Sequence, residues 1–135
     1  MIVVDTNVIA SLWLPNDMDK LAYKILEKDA DWIAPLLWRS EFRNVLAMYL
    51  RADILDFTIA LQVIEEAEQL MGSKEFEVNS TQVLSLVYDS SCSSYDCEFV
   101  ALADDLNSKL VTFDKKIIKE FPDIAIHPED FVVKK

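Results

Sequence analysis

Glycine is almost missing from this chain: Gly72 is the one glycine in 135 residues. Phosphate-cradling loops of the GxGxxG and Walker A kinds, and the GxSxG turn of serine hydrolases, need more, so those chemistries are excluded. Histidine is as scarce. His127, followed by Pro128, stands alone, which argues against a Ser-His-Asp centre and leaves no His/Cys cluster with zinc spacing. Cysteine is limited to Cys92 and Cys97. On one helix that spacing sets them at an awkward angle for a disulfide, and they read as a cytosolic thiol pair. No apolar run approaches the roughly 18 residues of a membrane span. The opening MIVV is short and has no basic flank, unlike a signal peptide. The expectation is a soluble cytoplasmic protein with no membrane partner. No Ser/Gly/Pro-rich linker, repeat or low-complexity tract interrupts the chain, so a single domain is expected over residues 1–135.

Positive charge is also short. Thirteen Lys and Arg face 24 Asp and Glu, for a net charge of −11. Taken alone this argues against a nucleic-acid partner, because phosphate binding normally wants a basic face. What the chain has in quantity is apolar residues, 52% of the total, enough to bury a core without metals or disulfides. With histidine and glycine so sparse, any chemistry falls to carboxylates.

Ile2 to Val4 reads as a short buried strand, β-branched and continuous. Asn16 or Asp17 can cap a helix with Met18, Leu21, Ala22, Ile25 and Leu26 on one face. Trp32 to Ala34 makes a second strand, stopped by Pro35. A helix is expected from about Ser40 to Leu50. Asp53 opens a long one that Gly72 closes. Asn79 or Ser80 starts a shorter helix, and Ser93 caps the next, with Tyr95, Phe99, Leu102, Ala103 and Leu106 as its stripe. Leu110 to Phe113 is a third strand, Lys115 to Phe121 a short helix, and Ile124 to Ile126 a fourth strand. Strands alternating with helices predict a parallel sheet of about four strands, flanked by helices in a three-layer α/β/α arrangement.

In such a sheet every strand points the same way, and ligands bind along the carboxyl edge. Asp5 ends the first strand, and Asp114 follows the third. Glu41 is expected in the first turn of the helix after strand two, and Asp96 in the first turn of the helix leading into strand three. Crossover geometry puts all four on one edge. Clustered carboxylates repel one another and must take up protons or bind cations. Hard oxygen ligands suit Mg²⁺ or Mn²⁺. Such ions can activate water against a phosphodiester without histidine or a glycine loop. Each acid also has a plainer use: Asp5 and Asp114 can begin turns, and Glu41 and Asp96 can favour their helix dipoles. Ser93-x-x-Asp96 fits a capping box. Glu98 turns about 200° from Asp96 around a helix, so it and Asp104 are left as solvated acids, with Glu98 a possible outer support of the site.

These segments resemble PIN-domain nucleases, in particular single-domain toxins of the VapC type. The motifs that carry the resemblance are VVDTNVIA, APLLWRSEFRNVL, SSYDCEFVALADDL and KLVTFDKKI, in family order and spanning nearly the whole chain. The resemblance implies a Mg²⁺- or Mn²⁺-dependent endoribonuclease. Asp5, Glu41, Asp96 and Asp114 are then the metal-binding and catalytic acids. Thr112 falls on a hydroxyl position where it would steady Asp5, and Asn7 on a supporting polar position. An RNA substrate, a small antitoxin protein and a homodimer are the implied partners. Residues from about Asp53 to Tyr88 carry little motif and look like the family's variable helical hairpin. The acidity departs from what RNA binding asks. Cations near the acids are few: Arg39 and Arg43, expected to point away from Glu41, and Lys115 and Lys116. Two alternatives stay open: a catalytically silent PIN-like interaction module, and another Mg²⁺-dependent phosphohydrolase. Haloacid-dehalogenase phosphatases want a second Asp where this chain has Asn7, and receivers want an acid after a middle strand, where this chain has Ala34-Pro35.

Overall fold

The computed structural model describes residues 1–133. The chain opens with β1 (Ile2–Val4), α1 (Thr6–Ser11), α2 (Asp19–Lys28), β2 (Trp32–Pro35), α3 (Leu37–Arg51) and α4 (Phe57–Met71). It continues through β3 (Glu75–Phe76), α5 (Ser80–Tyr88), α6 (Ser94–Asp105), β4 (Leu110–Val111), α7 (Lys115–Glu120), β5 (Ala125–Ile126) and α8 (Pro128–Val133). The strands form one sheet in the order β3-β2-β1-β4-β5, and every pair is parallel. β1 lies in the middle, with Val3 in register with Ile33 on one side and Leu110 on the other. Helices flank the sheet, as the alternation of the sequence predicts. All three β1 residues are buried, consistent with a central strand that shows no polar face. Trp32, Trp38, Phe42 and Phe99 are the largest fully buried side chains. Each contributes roughly 1.5–3 kcal/mol or more by leaving water.

Five strands stand where about four were expected. The addition is β3, only two residues long, on the edge beyond β2. A two-residue strand has no periodicity to read. It is held instead by side chains. Glu75 accepts hydrogen bonds from Trp38 Nε1 at 2.7 Å and from the Arg39 guanidinium, whose Nη2 stands 2.8 Å away. Arg39 also reaches Glu68 at 3.2 Å, which ties α3, α4 and β3 together. The guanidinium holds the Glu75 carboxyl below its usual range. Arg43 lies 4.0 Å from Glu68. Both arginines therefore serve the α3–α4 side of the fold, away from the acids, as the helical spacing predicts.

Other boundaries move for local reasons. Asp53 does not open α4. It sits at φ 56° in the turn after α3, and Asp56 takes the N-cap position. Aspartate tolerates the left-handed region that a tight turn needs. Gly72 does close α4, at φ 33°, with its N–H on Glu68 O at 2.8 Å. Ser93 caps α6 as expected, its hydroxyl accepting from Asp96 N–H at 3.0 Å. Tyr95 is not part of a buried stripe: it is 60% exposed, while Cys97 and the run from Phe99 to Ala103 are buried. α6 packs against β1, β2, β4 and α5, so burial covers most of its circumference and blurs the periodicity. α1 and α8, each six residues long, were not foreseen. Cys92 lies before α6 and Cys97 on it, both buried and free. Among the described residues no helix is long and apolar enough to cross a membrane.

Candidate active site

The carboxyl edge of the sheet gathers the four acids. Asp5, Glu41, Asp96 and Asp114 line one cavity of about 330 Å³, together with Thr6, Asn7 and Asn44. Asp5 leaves β1 with its backbone N–H on Val111 O, 3.0 Å away, so β4 fixes its place. It then caps α1. Thr6 N–H donates to its Oδ1 at 2.7 Å, and the Thr112 hydroxyl donates to its Oδ2 at 2.7 Å. Asn7 Nδ2 lies 3.5 Å from both Asp5 Oδ2 and Thr112 Oγ1, while its Oδ1 accepts from Phe113 N–H at 3.3 Å. Thr112 also accepts from Asp114 N–H at 3.0 Å. One buried hydroxyl thus links the acid after β1 to the acid after β4. Asp114 caps α7, taking the N–H groups of Lys116 and Ile117 at 2.9 and 3.4 Å.

Glu41 stands elsewhere on its helix than the sequence suggests. α3 begins at Leu37, and no acid lies in its first turn. The chain passes from Pro35 through Leu36, already in the helical region, without a polar cap. Glu41 therefore occupies the second turn, where a helix-dipole role is weak. It still reaches the cavity, with Oε1 accepting from the Thr6 hydroxyl at 2.6 Å. Thr6 and Asn44 are the lining residues that sequence reasoning missed. Asn44 is one turn beyond Glu41, and i, i+3 spacing is the signal that could have found it.

Burial is the main cause that pushes the Asp5 carboxyl up to about 7 from an ordinary value of 3.8. The Thr112 and Thr6 hydrogen bonds oppose the rise, and the charges of Glu41 and Asp96 add to it. Glu41 is raised by burial as well, with Asp96 and Glu98 adding and the Thr6 hydroxyl opposing. Neighbouring negative charge thus disfavours the ionised form of both Asp5 and Glu41. Among the described residues no three His, Cys, Asp or Glu side chains stand close enough to hold one ion. Glu98 faces a different and larger cavity of about 520 Å³, lined by Leu36, Phe76, Val83 and Leu84 among others. It touches the site only through its field on Glu41. Asp104 is off the site, with Gln82 Nε2 at 3.4 Å and a cavity beside Met1 and Asn107. His127 is also elsewhere, its ring edge-on to Phe113 at 5.5 Å between centroids.

The PIN domain family model matches residues 2–124. The chain belongs to the PIN-domain family. Ribonuclease VapC3 of Pyrobaculum aerophilum is 28% identical over 126 residues, covering 90% of this chain and 95% of the relative. This PIN domain also resembles two solved structures. PAE2754 from Pyrobaculum aerophilum superposes with a TM-score of 0.77 at 20% identity, covering 97% of this chain and 92% of the other. FitAcB from Neisseria gonorrhoeae gives 0.72 at 16% identity, with 96% and 99% covered. Both likenesses bear on the fold, which is the PIN-like α/β arrangement expected from the motifs.

Proposed function

We propose that this PIN domain is a divalent-metal-dependent endoribonuclease and the toxin of a toxin–antitoxin pair, working in the cytoplasm as a single domain over residues 1–135. One observation carries the reading: Asp5, Glu41, Asp96 and Asp114, from four separate stretches of chain, line one cavity at the carboxyl edge of a parallel sheet. The likeness to a protein named a ribonuclease supports the substrate class. The donor set suits Mg²⁺ or Mn²⁺ in chemistry: carboxylate oxygens match hard cations, and one or two of them with water suffice for Mg²⁺, which needs no group of three, while negative neighbours oppose the charge of Asp5 and of Glu41. Such an ion, when bound, supplies the charge that activates water and steadies the departing oxygen of a phosphodiester.

The chain's own residues prepare that step. Thr112, Asn7 and the Thr6 amide fix Asp5, and the Ser93 cap fixes the turn that presents Asp96. Lys115 and Lys116 are exposed directly after Asp114 and offer charge to an RNA backbone. An antitoxin with basic residues would complement the net charge of −11. A homodimer fits the apolar surface of α5 and α6, where Leu84, Tyr88 and Tyr95 are 62%, 90% and 60% exposed. Sedimentation at micromolar concentration is expected to show the dimer mass, and a monomer there rejects it.

The direct test is Mn²⁺ titration by calorimetry on wild type and Asp96→Asn, with cleavage of a mixed RNA pool on the same samples. Binding and cleavage in wild type, both lost in the variant, are the expected outcome. Binding without cleavage of any RNA would support an interaction module. No binding in wild type would reduce the four acids to turn and cap residues.

A further inference from the structure

Thr6 touches two of the four acids. Its N–H donates to Asp5 Oδ1 at 2.7 Å and its hydroxyl to Glu41 Oε1 at 2.6 Å. It is buried, at the first position of α1, so water does not replace either bond. Glu41 is a long side chain on a different element, and the Thr6 hydroxyl is its one hydrogen-bond donor among the described residues. No other hydrogen bond among the described residues sets where that carboxylate stands relative to Asp5.

We propose that Thr6 is a positioning residue, whose hydroxyl holds the Glu41 carboxylate beside Asp5 so that both present an oxygen to the same cation. The proposal rests on the metal reading of the site. The choice of residue suits the task. A hydroxyl donates one hydrogen bond without adding charge, whereas Lys or Arg would neutralise the acid and compete with the cation. Threonine is stiff at χ1, so little freedom is left once its backbone is fixed in α1. Oε1 of Glu41 takes the Thr6 proton, and Oε2 accepts no hydrogen bond among the described residues. The arrangement is matched across Asp5 by Thr112, whose hydroxyl donates to Asp5 Oδ2 and accepts from Asp114 N–H. Two threonines, one following β1 and one following its neighbour β4, therefore bracket Asp5 and link it to Glu41 on one side and to the Asp114 backbone on the other. Groups that orient a metal's ligands in this way are worth about ten- to hundredfold in metal affinity.

The test uses the whole chain, with Mn²⁺ alone as the calorimetric probe. Thr6→Val keeps the shape and removes the hydroxyl; Thr6→Ser keeps the hydroxyl. Thr6→Val is expected to bind Mn²⁺ about ten- to hundredfold more weakly, and Thr6→Ser to rescue that loss. On RNA, kcat falls in Thr6→Val while KM holds. Combined with Glu41→Ala, which leaves the Thr6 hydroxyl no acceptor there, Thr6→Val should weaken Mn²⁺ binding no further, because the pair acts as one unit. Wild-type affinity in Thr6→Val, or an equal loss in the Glu41→Ala background, overturns the proposal. Should Thr6→Val fail to fold, Thr6→Ala against Thr6→Ser makes the same comparison. The metal reading can fail separately, through a wild type that binds no Mn²⁺. Wild type, Thr6→Val, Glu41→Ala and the double variant, melted in chelator, then decide on the bond itself. Coupled shifts of Thr6→Val and Glu41→Ala keep Thr6 as the group that places Glu41, and additive shifts remove it.

Discussion

Asp5→Asn is expected to abolish RNA cleavage, by on the order of a thousandfold, and yet to melt a few degrees higher than wild type in chelator at pH 8. The two effects have one source. Asp5 is buried, and burial together with Glu41 and Asp96 opposes its charge. Asparagine has the same shape and can keep the cap, its oxygen accepting from Thr6 N–H. For its amide to donate to Thr112, that hydroxyl must turn its proton away and Asn7 Nδ2 must give up its long 3.5 Å contacts with Thr112 and with position 5, since Asp114 N–H already uses one lone pair of the Thr112 oxygen. What disappears is a buried negative charge among like charges. The expected gain is about 1–3 kcal/mol, which for a chain of this size is a rise of several degrees. Differential scanning calorimetry and a cleavage assay on the same preparation check both halves. If Asp5→Asn instead unfolds, Asp5 is a structural cap and the catalytic assignment fails.

A second large effect is expected in the pH dependence of folding without metal. An acid whose folded pKa lies above its unfolded value holds more protons in the folded state between the two values. Stability then falls as pH rises through that window. For Asp5 the window runs from 3.8 to about 7. At about 1.4 kcal/mol per pH step, its full width costs the fold on the order of 4 kcal/mol by pH 8. Glu41 is raised and adds in the same direction. Glu75 works the other way: lowered by Arg39, it contributes stability above its unfolded pKa that is lost as acid protonates it. Urea unfolding of wild type in chelator should therefore give a higher free energy at pH 5 than at pH 8, and Asp5→Asn should flatten most of that slope. Mn²⁺ at about a hundred times its Kd should add back about 2.7 kcal/mol at pH 8. A wild type equally stable at both pH values would mean that Asp5 carries no such burden, and the cluster would lose its main electrostatic support.

The parts of this fold that were legible in the sequence are those decided by neighbours along the chain. Ile2 to Val4 could be read as a strand because three buried β-branched residues in a row leave little else. Ser93 and Asn79 could be read as caps because a cap acts within three residues. The carboxyl-edge position of the four acids followed from strand-helix alternation alone. β3 was hidden because its existence depends on Trp38 and Arg39, more than 30 residues earlier, reaching Glu75. α1 was hidden because its N-cap is Asp5, a residue already claimed for the site. Thr6 was missed for a similar reason: it looks like one letter of a motif, and its partner Glu41 lies 35 residues away. Glu41 itself was placed one turn too early because a helix that starts on Leu37, with Leu36 and no polar residue at its N-cap, leaves no mark in the sequence.

The position of β1 between β2 and β4 bears on how this protein is made. Of the five strands of the sheet the earliest in the chain is the middle one, and one of its two hydrogen-bonding edges waits for residues 110–111. The Thr112 hydroxyl that steadies Asp5 is 107 residues downstream of it, and Asp114 arrives later still. Contacts so distant along the chain form late and slowly. A growing chain can complete the β3-β2-β1 side as it emerges, but it cannot assemble the acid cluster until β4 is free to slot in beside β1. If the chain is the ribonuclease proposed above, it would thus stay inert toward RNA until translation had passed Asp114.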